Sequence, residues 1–199
     1  MISPKAQEYR EELVKKCYEA GIEVIPVPGA CAAVNALIAS GQPTRRFTFE
    51  AFLPTDKKER SKVLEELKGE TRTIIIYEAP HRLVRTLKEL GDVLGDKEAT
   101  ICRELTKKHE TFFKTTLLKA YEYYNENEPK GECIIVIRGI LYEELERESL
   151  SKWEEISIPE HLKLYMDKGV DKKEAAKLVA KDRGVSKREI YEYTIDIHN

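Results

Sequence analysis

The chain has 199 residues, 41% of them hydrophobic and 35% charged, with a formal charge of -2. That is enough to bury a core as one large domain or two small ones. The balance excludes a disordered chain and one that is basic throughout, so any nucleic-acid contact has to come from a local patch.

The N-terminal MISPKAQEYREELVKK is charged and lacks the apolar core of a signal peptide. No stretch reaches the roughly 18 apolar residues that a membrane span needs. A cytoplasmic protein with no membrane contact is expected. Cys17, Cys31, Cys102 and Cys133 lie far apart among small or apolar neighbours, without a CxxC pair or a histidine at metal-ligand spacing. They read as reduced, buried thiols, and no metal is expected.

In chain order, Tyr9, Leu13 and Cys17 recur at helical spacing and Gly21 stands where that helix would stop. EVIPVP reads as a short buried strand, and GACAAVNALIAS as a small-residue helix from Gly29 to Gly41. FTFEAF alternates as strands do, and DKKERSKVLEELKGE follows as an exposed helix. TRTIIIYE is the strongest strand, its isoleucine run suited to a sheet covered on both faces. HRLVRTLKELGDVL is helical, ATICRE and ETFFKTT are strands, LLKAYEYYNE is a helix and GECIIVIRG a last buried strand. The alternation predicts an α/β architecture with mostly parallel pairing.

Beyond Gly139 the composition turns acidic from Leu141 to Glu160, as a solvated connector or edge helix would. It then turns basic. DKKEAAKLVAKDRGVSKREIYEYTI reads as two helices joined at Gly184, with Asp171 and Ser186 as N-caps, a helix-turn-helix-like tail.

Ligands in open α/β sheets sit beyond the carboxyl ends of strands, and three polar clusters follow apolar runs: PGACAA, YEAPHR and CRELTKKHE. Gly29 at a helix start frees backbone N–H groups for an anionic or polar ligand, although small residues there equally serve helix packing. In YEAPHR, Pro80 opens a helix, leaving Tyr77 and Glu78 at the strand end. His81 and Arg82 then occupy the first turn, where an arginine opposes the helix dipole unless it binds an anion. Arg103 and Glu104 repeat the scheme ahead of Thr106, Lys107, Lys108 and His109.

These clusters, in this order and with VIPVPGACAAVNALIASGQPTRRFTFEAFLP and GECIIVIRG around them, resemble the tetrapyrrole (corrin/porphyrin) methylase family over Glu11 to Gly139. The basic tail is similar to that of its RNA-modifying branch, the ribosomal RNA small subunit methyltransferases I. The resemblance implies the C-terminal mixed-sheet domain of the tetrapyrrole methylase fold (42–140), a remnant of the N-terminal domain (1–41), a linker (141–160) and a small all-helical tail (161–199). It implies methyl transfer from S-adenosylmethionine to the ribose 2′-hydroxyl of a cytidine in small-subunit ribosomal RNA.

On that footing Glu78, His81 and Glu104 are the catalytic candidates. Pro28, Gly29, Ala30, Cys31, Ala32 and Tyr77 would hold the cofactor, with Tyr77 also able to stack on a base. Arg82, Arg103, Thr106 and Lys107 would hold RNA. The family's opening strand with its GTPIGN-type loop and its SDAGTPG loop have no counterpart. A homodimer or a missing N-terminal fragment is therefore expected to cover the open sheet edge. Cys31 stands where the family often has serine, and Ala51 and Ala79 where it often has glycine and serine. The alternatives are a non-catalytic RNA-binding module, a tetrapyrrole methyltransferase, or a DNA regulator reading a groove through Lys187, Arg188 and Glu189.

Overall fold

The computed structural model describes residues 4–151, 153 and 155–195. Contacts divide the chain into two compact units, Met1–Ile140 and Leu141–Asn199.

The first unit opens with α1 (Pro4–Glu19), which ends where Gly21 takes φ +67° and the Ile22 N–H reaches back to the Cys17 carbonyl at 2.8 Å. The strand expected at EVIPVP is absent. Residues 22–31 are irregular and mostly exposed, Val27 to 90%. No described strand lies beside them to complete a hydrogen-bond ladder, and without one an apolar run gains nothing from extension. The next helix, α2, begins three residues later than expected and spans Ala32–Ser40.

Five strands, β1 (Phe47–Phe52), β2 (Thr73–Glu78), β3 (Glu98–Arg103), β4 (Thr111–Thr116) and β5 (Cys133–Ile137), form one sheet in the order β1-β2-β5-β3-β4. Only β1 and β2 pair in parallel; β5 is antiparallel to both its neighbours and β3 to β4. The expectation of mostly parallel pairing is thus corrected to a mixed sheet. The crossover through α4 (Pro80–Leu94) carries β2 to β3 but leaves a gap one strand wide, which the chain fills on its way back through α5 (Leu117–Glu126). Because β3 and β4 form a hairpin, the returning strand runs the other way. Central β5 is buried along its whole length.

Alternation along the strands sorts side chains between two faces. Ile74, Ile76, Ile101, Ile135 and Ile137 pack with Leu83, Leu87 and Leu90 of α4, Leu117 of α5, and Leu64 and Leu67 of α3 (Lys57–Leu67). Ile75, Cys102, Ile134 and Val136 face the other way, onto Ala33, Ala36 and Leu37 of α2. Beta-strand β1 carries an irregularity between Phe49 and Ala51, and Ala51 takes φ +50° there. That left-handed backbone explains why glycine would suit this position. Of the four thiols, Cys102 and Cys133 are buried; Cys31 is exposed and Cys17 half-buried, which corrects the reading of all four as core residues.

The second unit holds α6 (Tyr142–Ser151), α7 (Ile158–Met166), α8 (Lys172–Asp182) and α9 (Lys187–Ile195). Leu162, Val179 and Ile190 anchor its core, Asp171 and Ser186 accept backbone N–H groups of the turns that follow them, and Gly184 turns between α8 and α9 at φ +63°. His161 is buried in a stack between Trp153, 3.7 Å away, and Tyr165. Its Nδ1 accepts from Arg183 Nε at 3.2 Å, while Nε2 lies 3.3 Å from Asp182 Oδ2 without hydrogen-bond alignment. No described helix is long and apolar enough to cross a membrane.

Candidate functional site

The α2 face of the sheet is only partly covered, and a cleft of about 520 Å³ opens where the helix begins. One wall is the α2 entry, Ala30 to Val34. The floor is Tyr77 of β2 and Ile134 of β5, Phe47 and Phe49 of β1 close one side, and Leu105 with Glu132 close the other. Helix α2 starts without a side-chain cap, since the N-cap position is Cys31; of its first backbone N–H groups, that of Ala33 engages the Tyr77 phenol and the others receive no cap from Cys31. The Tyr77 ring meets Phe49 and Phe52 edge-on, at 5.0 and 5.9 Å between centroids. Burial pushes its phenol above the ordinary value, opposed by the backbone amide of Ala33.

Ala30, Cys31, Ala32 and Tyr77 therefore line the cleft, whereas Pro28 and Gly29 belong to the exposed stretch leading into it. The expectation that Tyr77, Glu78, His81 and Arg82 of YEAPHR serve one site is corrected by the period of the strand. Tyr77 faces the cleft; Glu78, one residue on, points to the opposite side of the sheet and is 0% exposed. There Oε2 accepts from Thr86 Oγ1 at 2.6 Å, and Oε1 accepts from the Ala79 N–H at 2.9 Å and lies 3.3 Å from Arg82 Nε. Thr86 in turn accepts from Arg60, which also pairs with Glu89 at 2.5 Å. Arg82 donates to the Leu53 carbonyl at 3.0 Å. Glu78 and Arg82 thus form a buried ionic network tying α3 and α4 to the sheet, with no carboxylate oxygen presented to the cleft. His81 lies on a separate groove of about 550 Å³ together with Tyr124 and Asn125.

The third cluster divides in the same way. Arg103 turns to the α5 face and donates twice to the Lys130 carbonyl, at 3.0 and 2.8 Å. Leu105 enters the cleft. Glu104 and Thr106 stand between, with φ +51° and +66°. Glu104 Oε1 accepts from the Glu132 N–H at 2.9 Å and from Lys107 Nζ at 3.1 Å, and Lys107 also reaches Glu132 Oε2 at 3.3 Å. The Glu132 amide and the ammonium hold the Glu104 carboxyl below its usual range, and both carboxylates hold Lys107 above its own. Thr106 donates its N–H to Glu110 at 2.7 Å.

Phe47, Phe49, Leu105, Glu132 and Ile134 escaped sequence reading. Glu132 precedes an apolar run instead of following it. Because β5 is antiparallel, its entrance lies at the same end of the sheet as the exits of β2 and β3. Among the described residues no group of three or more His, Cys, Asp or Glu is placed to hold a metal ion.

A mixed sheet with a ligand-sized cleft at a helix start defines an α/β protein with a candidate small-molecule site. Residues 6–120 match the model of the Tetrapyrrole (Corrin/Porphyrin) Methylases, and the chain belongs to that family. It is 44% identical over 189 residues to ribosomal RNA small subunit methyltransferase I of Bacillus subtilis, covering 95% of this chain and 64% of that one. It is 43% identical over 196 residues to the protein of that name from Synechocystis, covering 98% and 68%. For Halalkalibacterium halodurans the identity is 48% over 180 residues, covering 90% and 62%. The chain thus spans about two thirds of the length of these curated relatives. Among solved structures, the fold is similar to the methyltransferase CobJ (TM-score 0.51, 17% identity, 67% of this chain and 58% of that one). It is also similar to cobalt precorrin-4 methyltransferase, a cobalamin biosynthetic enzyme (0.50, 17%, 69% and 61%).

Proposed function

We propose that this chain serves S-adenosylmethionine-dependent methylation of small-subunit ribosomal RNA, at the ribose 2′-hydroxyl of a cytidine. The RNA substrate is carried over from the names of relatives 43–48% identical across 90–98% of this chain. The cofactor reading rests on the chemistry of the cleft: an uncapped helix start offering N–H donors, a carboxylate offering acceptors, and aromatic and aliphatic walls between them. That set fits a zwitterionic ligand with a flat aromatic base. When bound, the cofactor supplies an electrophilic methyl group on a cationic sulfur.

The α2 entry would take the ligand's anionic end, the Phe49, Leu105 and Ile134 surfaces its apolar body, and Glu132 its hydroxyl or ammonium donors. Tyr77 closes the floor. In this reading rate comes mainly from holding hydroxyl and methyl in near-attack geometry, and Glu78 and Arg82 contribute by fixing the frame. RNA phosphates would meet the exposed Lys107, Lys108 and Lys130 on the two loops at the cleft's polar end.

The test is incubation with methyl-labelled S-adenosylmethionine and small ribosomal subunits, followed by nucleoside mass spectrometry. Label in 2′-O-methylcytidine is the expected result. Salt-sensitive RNA binding with no calorimetric signal from S-adenosylmethionine would replace the enzyme by a binding module.

A further inference from the structure

Residues 104–110 lead from β3 toward β4 beside the cleft, and Leu105 alone among them is buried, at 8% exposure. An apolar side chain in an otherwise exposed loop needs something to hold it inward. Glu104 and Thr106, on either side of it, hold left-handed backbone at φ +51° and +66°, a conformation that residues with side chains keep only when their surroundings impose it. The imposing contacts are visible. The Glu104 N–H donates to the Glu132 carbonyl at 3.0 Å, and the Glu104 carboxylate accepts the Glu132 N–H at 2.9 Å. Gly131 makes room for that carboxylate, since a Cβ at position 131 would run into it. The Lys107 N–H then donates to the Glu104 carbonyl at 3.0 Å, closing a four-residue turn with Thr106 in the third place, where glycine usually stands. Thr106 gives its own N–H to the Glu110 carboxylate. Leu105 is thereby turned onto the α2-side cluster of Ile75, Cys102, Ile134 and Val136, and into the cleft.

We propose that Glu104 is a positioning residue that acts through Leu105: its two bonds to the Glu132 backbone set the left-handed step that aims Leu105 into the cleft, where Leu105 is a wall against which an S-adenosyl ligand packs. The ligand half rests on the S-adenosyl reading above; the aiming half does not. The arrangement uses the backbone of Glu132, whatever its carboxylate meets. Covering apolar ligand surface with a leucine favours binding in proportion to the area removed from water. A wall already held in place before the ligand arrives adds no ordering cost on binding.

Two measurements on the full chain separate the halves. Without ligand, NOEs from the Leu105 methyl groups into the α2-side cluster should be lost in Glu104→Ala and persist in Glu104→Gln, which keeps an acceptor oxygen for the Glu132 N–H. Where the alanine variant does not fold, Glu104→Asp, whose shorter carboxylate falls away from that N–H, takes its place. NOEs unchanged in the shortened variant, or lost equally in Glu104→Gln, overturn the positioning role. With S-adenosylhomocysteine as the calorimetric probe, Leu105→Ala should weaken binding roughly three- to tenfold, as partial loss of a leucine's apolar contact predicts. Shortening Glu104 should weaken it by a similar factor, and the double variant should lose no more than the weaker single one, because residues that act through one another are not additive. Losses that multiply in the double variant overturn the action through Leu105. Binding indifferent to Leu105→Ala overturns the wall. Absence of binding to the unaltered chain overturns the ligand half and the cofactor reading together, while the NOEs still decide whether Glu104 aims Leu105.

Discussion

The two faces of the sheet differ in how completely they are covered. On the α3, α4 and α5 side, apolar side chains are sealed to near-zero exposure, and the polar groups beneath the helices, Glu78, Thr86 and Arg60, satisfy one another. On the α2 side one nine-residue helix leaves a cleft beside it, with Phe49 still 42% exposed. The same strands build both faces, so β-propensity does not cause the difference; it comes from how many helices the connections deliver to each side. The covered face carries stability, and the open one is free to carry recognition.

The strongest way to break this division is Glu78→Ala. It leaves the Thr86 hydroxyl, the Ala79 N–H and Arg82 without their acceptor beneath the helices, while Arg60 keeps Glu89, and should cost about 3–5 kcal/mol in urea unfolding. If the loss fell below about 1 kcal/mol, comparable to an exposed pair, the network would not be the closed face's anchor. Leu87→Ala on the same face should cost about 2–5 kcal/mol through the cavity it leaves, with ligand affinity nearly unchanged. Phe49→Ala on the open face should do the reverse. Unfolding should move by about 1 kcal/mol or less, while S-adenosylhomocysteine affinity falls roughly three- to tenfold with loss of an aromatic wall.

The cysteines sharpen the contrast at lower cost to the molecule. Burial pushes the Cys102 and Cys133 thiols up to about 12, so both should resist iodoacetamide in the folded chain. Cys31 at the cleft should react, and more slowly with ligand present. Equal labelling of Cys31 and Cys133 would contradict the described cover. The smallest effect belongs to the helical unit. Burial and the nearby Arg183 hold His161 below its ordinary value near 6.5, against the pull of Asp182. The unfolded chain then takes up the proton first. Stability should be level above about pH 6.5 and fall as pH drops through the lowered native value. Trp153, the chain's only tryptophan, reports it by fluorescence, and His161→Gln should flatten the slope.

Much of the fold was legible because its signals are local. LLKAYEYYNE is helix α5 to the residue, and the isoleucines of TIIIYE announced a strand with both faces buried. Asp171, Ser186 and Gly184 marked their turns through their own side chains or backbone freedom. EVIPVP failed because an apolar run becomes a strand only beside a partner. The site was half legible: Ala30, Cys31, Ala32 and Tyr77 were placed by their position after apolar runs, but Pro28 and Gly29 fall outside the cleft, and Glu78 and Tyr77 were grouped although a strand sends neighbours to opposite faces. Glu132 was passed over because its importance depends on the direction of β5.

The sequence alone determined most of the helices and strands, which residues are apolar enough to bury, and the family resemblance that the comparisons bear out, since all of these reside in short-range chemistry and order. Tertiary structure decided which face each polar residue joined. Pairing direction and crossover path are long-range properties, and they turned Glu78 into a buried anchor, opened the cleft on one side, and brought Glu104 to Glu132 across a gap of 28 residues.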